Sequence, residues 1–261
     1  MGNRWILWPI LLLACASGLG AEGGHGFFSN YLVSYPRSVK AAVGAPLTWG
    51  SDEWITSGSV VLVAGSLYWA DPEIREMVQK GRTGWGDAAM DGLGYLGEMK
   101  LAYPAAGLTV AAGCLAGSDK TVDTGLLCLK SMILSSVAAQ GLKLVTQRQR
   151  PGAGSAGSFW PESGFSLQND SFPSGHSTLV WSIAPILAEQ YSDQVWVAPL
   201  VYGLAILSSY SRLHTDEHWS SDVFTGAVIG YISARLTLKS TSRLAVSPAP
   251  QLNGISLSLE F

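Results

Sequence analysis

Three separated stretches of the chain hold residues suited to chemistry on a phosphoryl group. Lys143 is followed seven residues later by Arg150-Pro151. Pro173-Ser174-Gly175-His176 comes next, and Ser211-Arg212 is followed by His218 and Asp222. Together these stretches supply three cations, two imidazoles and a carboxylate. Such a set can hold a phosphate, attack its phosphorus and protonate the group that leaves.

Each stretch taken alone has a plainer reading. Lys143 and Arg150 are two helical turns apart, which places them on one face about 10 Å apart along the axis. Ser136, Gln140 and Gln147 share that stripe, and Pro151 should stop or kink the helix. By itself this is a solvated face with two ordinary cations. Ser174 is a natural N-cap for the apolar run that follows, leaving unpartnered backbone N–H groups that suit an anion. Gly175 lets the backbone approach a phosphate oxygen closely, and His176 is placed to exchange a proton with the bridging oxygen. By itself this is a helix start with a surface histidine. In the third stretch Arg212 is expected just after an apolar helix, with a new helix starting near His218. Asp222 then falls on the His218 face, within reach of one ring nitrogen. That bond would fix the tautomer and stabilise the cation formed on attack. His and Asp at this spacing also serve simply to cap helices. Asp216 and Glu217, beside His214, read as solvated loop.

The three stretches in order resemble the type 2 phosphatidic acid phosphatase and vanadium haloperoxidase superfamily. Its signature is Lys, six residues, Arg-Pro; then Pro-Ser-Gly-His; then Ser-Arg, five residues, His, three residues, Asp. Lys143-Arg150-Pro151, Pro173 to His176, and Ser211-Arg212-His218-Asp222 meet every fixed position. The resemblance covers about Leu126 to Arg235. It implies that His218 is the nucleophile, that Asp222 orients it and that His176 is the general acid. It also implies that Lys143, Arg150, Arg212, Ser174 and the Gly175 amide hold the nonbridging oxygens. Three fixed cations can stand where a metal would otherwise be needed, so hydrolysis calls for no cofactor.

The elements that must position these residues are helical. From about Ser57 to Leu238 apolar runs alternate with polar breaks at helical lengths, giving an all-α class; the resemblance implies a bundle of the acid phosphatase and haloperoxidase type. The spacing predicts helices over Ser57–Trp69, Pro72–Lys80, Trp85–Leu96, Leu101–Leu115, Thr124–Gln149, Ser177–Gln190, Val195–Tyr210 and Ser220–Lys239. Gly226 and Gly230 would let a neighbouring helix approach the last of these closely. Between Pro151 and Phe172 runs a loop of about 20 residues carrying Phe159, Trp160 and Phe165. Those aromatics either form a rim for an apolar leaving group or pack the loop onto the bundle. Alternation of Ile255, Leu257, Leu259 and Phe261 with polar residues gives the tail strand periodicity and the makings of a hairpin.

Residues 1–21 read as a signal peptide: one positive charge, an apolar run too short to span a bilayer, then small residues. Leu12-Leu13-Ala14-Cys15 also fits a lipoprotein cleavage site. The expected organisation is a signal at 1–21, a lead-in at 22–56, a phosphatase domain at 57–240 and a tail at 241–261. Export would allow Cys114 and Cys128 to pair, although both also suit a buried apolar role. No metal-ligand spacing is present. Charged residues make up 13% of the chain and the net charge is −3, which argues against nucleic acid and for a phosphate recognised locally. This apolar composition suits either tight helix packing or contact with lipid.

These observations point to an exported, membrane-associated phosphatase of the cell envelope, with its active site outside the cytoplasm. The substrate would be a phosphorylated small molecule or lipid, either a phosphomonoester or a pyrophosphate. Two other functions fit the same residues: a vanadate-dependent haloperoxidase with His218 as the vanadate ligand, and a non-enzymatic phospholipid-binding protein of the envelope.

Overall fold

The computed structural model describes residues 24–153, 157–161 and 164–242. The signal peptide, Cys15 and the strand-like tail from residue 243 lie outside the described residues. Among the described residues there are eight α-helices and no strand: α1 (Gly24–Gly44), α2 (Ser51–Lys80), α3 (Gly84–Gly94), α4 (Met99–Ala116), α5 (Asp119–Thr146), α6 (Gly175–Gln190), α7 (Val197–His214) and α8 (Ser220–Ser242). The expected all-α class is the observed one.

The sequence pattern misplaces several boundaries, and each has a local cause. The two helices expected on either side of Ala70 and Asp71 are one, because α2 runs through Pro72. A proline removes one helical hydrogen bond, but Asp71 is buried and anchored to three residues of the catalytic end, which holds the helix on course. Helix α5 ends at Thr146, short of Gln149, because Gln147 takes a left-handed conformation (φ 48°). Its backbone N–H donates to the Lys143 carbonyl at 3.1 Å, and its side-chain amide donates to the Lys143 and Leu144 carbonyls at this C-terminus. Helix α7 extends past Tyr210 to His214, so Arg212 lies in its last turn and not after it.

Helix α6 is the centre of the bundle, flanked by α5, α7 and α8. Its contact with α8 depends on the two glycines marked in the sequence. A Cβ on Gly226 would come within 2.5 Å of the Ser174 carbonyl, and one on Gly230 would strike the Thr178 carbonyl. Helices α4 and α5 form an antiparallel pair joined at Gly117 (φ 63°), where the Ser118 amide returns to the Gly113 carbonyl at 2.9 Å. Ala102, Ala106, Leu127, Met132, Leu179 and Ile186 form the main core beneath the functional end. Cys128 is a free buried thiol in that core, whereas Cys114 packs with the separate Val110–Val122–Leu126 cluster, so the two do not form a disulfide with each other.

Among the described residues two helices, α4 and α5, are long and apolar enough to cross a membrane by length and composition. They differ in setting: 61% of the apolar window of α5 is buried in the protein, against 22% for α4.

Candidate active site

The three motif stretches meet at one end of the bundle. The start of α6 and the start of α8 are tied directly, because the Ser174 amide donates to the Asp222 carbonyl at 3.0 Å. Ser174 caps α6 as its position suggests, with its hydroxyl accepting from the Ser177 amide at 3.4 Å. Around a Cβ on Gly175 there is open space, so the backbone at this helix N-terminus is accessible to a ligand.

His218 and Asp222 are both buried at this end of the bundle. The expected His–Asp contact is looser than foreseen, with His218 Nδ1 3.6 Å from Asp222 Oδ2. The ring instead places Nδ1 2.8 Å from the Ser171 carbonyl oxygen. A carbonyl can only accept, so Nδ1 carries the proton, and in the neutral ring Nε2 keeps its lone pair. Asp222 acts one step further back: Oδ2 accepts from the Ser171 hydroxyl at 2.5 Å and from the Trp219 amide at 3.0 Å. Ser171 therefore links carboxylate and imidazole.

Behind Asp222 lies a clamp that sequence reasoning missed. Arg148 is 1% exposed and donates to Asp222 Oδ1 at 2.5 Å, to Ser221 Oγ at 2.7 Å and to Asp71 Oδ2 at 2.7 Å. Asp71, from α2, also accepts from the Ser220 and Ser221 hydroxyls and the Ser221 amide. Tyr68, Phe159 and Trp219 place their rings 4.9, 5.1 and 5.3 Å from the guanidinium carbon, contacts that favour a desolvated cation. Burial would raise the Asp222 carboxyl, but the nearby His218 ring and Arg148 guanidinium outweigh it and hold it below the usual range. Arg148 was legible only as one more cation beside Arg150. Nothing near Asp71 in the sequence links it to a residue 77 positions away.

The cation set lines the more open side. Lys143 is buried and donates to the Asp170 carbonyl. Arg150 is not on the helix with Lys143, since α5 ends before it, but the turn at Gln147 returns it to the same place. Its guanidinium forks onto the Asp170 carboxylate at 2.9 and 3.1 Å and reaches Glu217 Oε2 at 3.4 Å. Arg212 reaches the same Glu217 oxygen at 3.3 Å. Glu217 lies in the loop as expected, its side chain 42% exposed, but it also bridges two of the three motif cations. Asp216, in the same loop, is held as well, because Arg75 of α2 grips its carboxylate with two bonds of 2.6 Å. Burial would raise the Asp170 carboxyl, but the Arg150 fork outweighs it and keeps it below the ordinary range.

His176 stands on this open side, with Nε2 3.1 Å from Glu98 Oε1 in the turn before α4. Glycine makes room for both catalytic-end groups here. A Cβ on Gly97 would lie 2.8 Å from the His176 Cβ, and one on Gly94 would collide with the Arg212 guanidinium. Burial lowers the pKa of His176 and Arg212 adds to the effect, with Glu98 pulling the other way. Burial also lowers His218, Asp222 opposes, and Lys143 and Arg150 add to the lowering.

The long loop packs onto the bundle through Phe159, which meets Tyr68 at 5.3 Å and Phe172 at 5.6 Å. Trp160 donates to the Val145 carbonyl at 2.6 Å. Phe165 remains exposed.

Residues 124–245 match the family model described as the PAP2 superfamily. All three motif stretches fall inside that span. Over that stretch, just under half of the chain, the protein is similar to this superfamily. Two solved PAP2-type folds are similar over most of their own length. One is LpxE from Aquifex aeolicus, with TM-score 0.52 and 24% identity, covering 65% of this chain and 94% of that one. The other is a transmembrane PAP2-type phosphatidylglycerolphosphate phosphatase from Bacillus subtilis, with TM-score 0.56 and 25% identity, covering 71% of this chain and 96% of that one. A lipid A 1-phosphatase from Porphyromonas gingivalis is 32% identical over 68 residues, which is 26% of this chain and 15% of that protein. The helical arrangement that carries the Arg148 clamp and the Glu217 bridge is thus similar to the folds of these proteins.

Proposed function

We propose that this protein is a metal-independent phosphatase acting on lipid-linked phosphomonoesters or pyrophosphates through a phosphohistidine at His218. The observation that carries this reading is the commitment of His218 Nδ1 to the Ser171 carbonyl, beside a cluster of fixed cations. It leaves Nε2 as a lone pair in a site arranged for a tetrahedral oxyanion. The names of the relatives, a lipid A phosphatase and a phosphatidylglycerolphosphate phosphatase, favour a lipid carrier.

His218 Nε2 attacks phosphorus in line, forming an N–P bond as the P–O bond to the alcohol or phosphate leaving group breaks. The leaving oxygen takes a proton from cationic His176. With Nε2–H held by Glu98, the remaining donor is Nδ1–H. Neutral His176 then accepts a proton from water, whose oxygen attacks phosphorus and breaks the N–P bond. Lys143, Arg150, Arg212 and the α6 N-terminus hold the nonbridging oxygens and offset the charge that develops on them. A bound phosphate displaces the Asp170 and Glu217 carboxylates from the arginines.

The protein acts at a membrane in this reading. Trp54, Ile55, Val61, Leu62 and Trp69 on α2, with Leu108 and Leu115 on α4, are all more than half exposed. An apolar surface of that extent suits lipid contact. The catalytic end faces out of the cytoplasm. The test is phosphate release from a lipid phosphate and from a water-soluble ester, measured across membrane and soluble fractions. Activity in the membrane fraction that disappears in His218→Ala supports the proposal, and full activity in that variant overturns it.

A further inference from the structure

An apolar cavity of about 450 Å³ opens between α4 and α7, with α5 and α6 as its back wall. One face of α6 runs along its length through Val180, Ala184, Leu187 and Tyr191. The upper end includes Leu96, next to Gly97, which packs on His176, and two residues before Glu98, the His176 partner. The hydroxyls of Thr109 and Thr124 in the lining already donate to the Ala105 and Lys120 carbonyls, at 2.9 and 2.7 Å. The walls therefore offer a polar ligand almost nothing. Leu101 and Leu108 on α4, and Leu200 and Leu207 on α7, carry the apolar character outward to the exposed surface, so a hydrocarbon chain can enter sideways without crossing water.

The far end is bounded by Tyr191. The Tyr191 ring lies under Lys120, whose Nζ is 4.7 Å from the ring centroid and 3.2 Å from Asp193 Oδ1. The eleven steps from Val180 to Tyr191 rise about 16 Å, close to half of the roughly 30 Å hydrocarbon core of a bilayer. His176 lies one helical turn above Val180, at the depth of a headgroup.

We propose that this cavity holds one acyl chain of the lipid phosphate, with its phosphate at His176 and its methyl end against Tyr191, so that Tyr191 under the Lys120–Asp193 latch sets the longest chain accommodated. This rests on the phosphatase reading above and adds a chain-length ruler to it. Ala184 and Ala105, a buried and an exposed lining position, keep the channel wide.

The test uses the full-length protein in detergent, lysophosphatidic acids of increasing acyl length, and p-nitrophenyl phosphate as a tailless ester. In the wild type kcat/KM should rise with chain length to a ceiling. Ala184→Phe and Ala105→Phe should each lower kcat/KM on the longest chains by about tenfold or more, with p-nitrophenyl phosphate hydrolysis unchanged. Tyr191→Ala should move the ceiling to longer chains. A flat wild-type profile, or variants that lower both substrates equally, would overturn the proposal. Native mass spectrometry of bound lysophosphatidic acid separates the two readings, since it needs no turnover. If nothing is hydrolysed but the wild type retains the lipid and both Phe variants lose it, the phosphatase reading fails and the groove stands. Equal retention by all three rejects the groove.

Discussion

The two histidines of the site live in contrasting surroundings. His218 is backed by a dry, fully partnered wall in which Asp71, Arg148, Asp222 and Ser171 follow one another through hydrogen bonds of 2.5–2.7 Å. His176 faces a wetter side, where Arg150 and Glu98 are partly exposed and the ion pairs run from 2.9 to 3.4 Å. In the proposed mechanism the first arrangement fixes an angle of attack. The second leaves charges that a ligand can take over. In the proposed mechanism, rigid placement of the nucleophile and exchangeable partners for the phosphate are different requirements, and the two sides of the site suit one each.

The strongest way to break this comparison is at the nucleophile. His218→Ala should lower turnover by about 10⁴-fold or more while the circular dichroism spectrum and unfolding midpoint stay near those of the wild type. Turnover within tenfold of wild type would remove His218 from its role. The clamp comes next. Arg148→Met strands two buried carboxylates, so stability should fall by roughly 3–5 kcal/mol in denaturant unfolding. Arg150→Met on the open side should cost roughly 0–1 kcal/mol of stability but about 10²-fold in kcat/KM. Equal stability losses for the two would erase the distinction drawn here.

Proton chemistry sharpens the contrast. Attack needs neutral His218 and departure needs protonated His176, so kcat/KM should follow a bell. Both imidazoles are lowered by burial, which places both limbs on the acid side of the ordinary histidine value. Glu98 raises His176, so Glu98→Gln should move the basic limb to lower pH and leave the acid limb in place, as read from pH–rate profiles. A shift of the acid limb instead would mean that Glu98 acts on His218. The smallest expected effect is at Glu217. Removing its charge in Glu217→Gln frees Arg150 and Arg212, so orthovanadate inhibition should tighten a few-fold, about 1 kcal/mol or less. Weaker inhibition would show that Glu217 assists binding.

The lesson for reading such a chain lies in how Lys143 and Arg150 come together. Helical spacing put them on one stripe, and they do meet, but through a left-handed turn at Gln147 that no spacing rule anticipates. The Asp222 role shows the same limit: its i+4 separation from His218 suggested a direct bond, whereas Ser171, 47 residues before His218, stands between them. Pro72 read as a break and lies inside α2.

What the sequence alone determined is the motif set proposed to react, the helical class and the glycines that let α6 and α8 touch, because motif order, apolar periodicity and the lack of a side chain are local properties. What the tertiary structure decided is which charges are shared. Asp71 with Arg148, Glu98 with His176, and Glu217 with two arginines join residues far apart in the chain, and electrostatic partnership depends on distance and burial in space, neither of which is a property of sequence position.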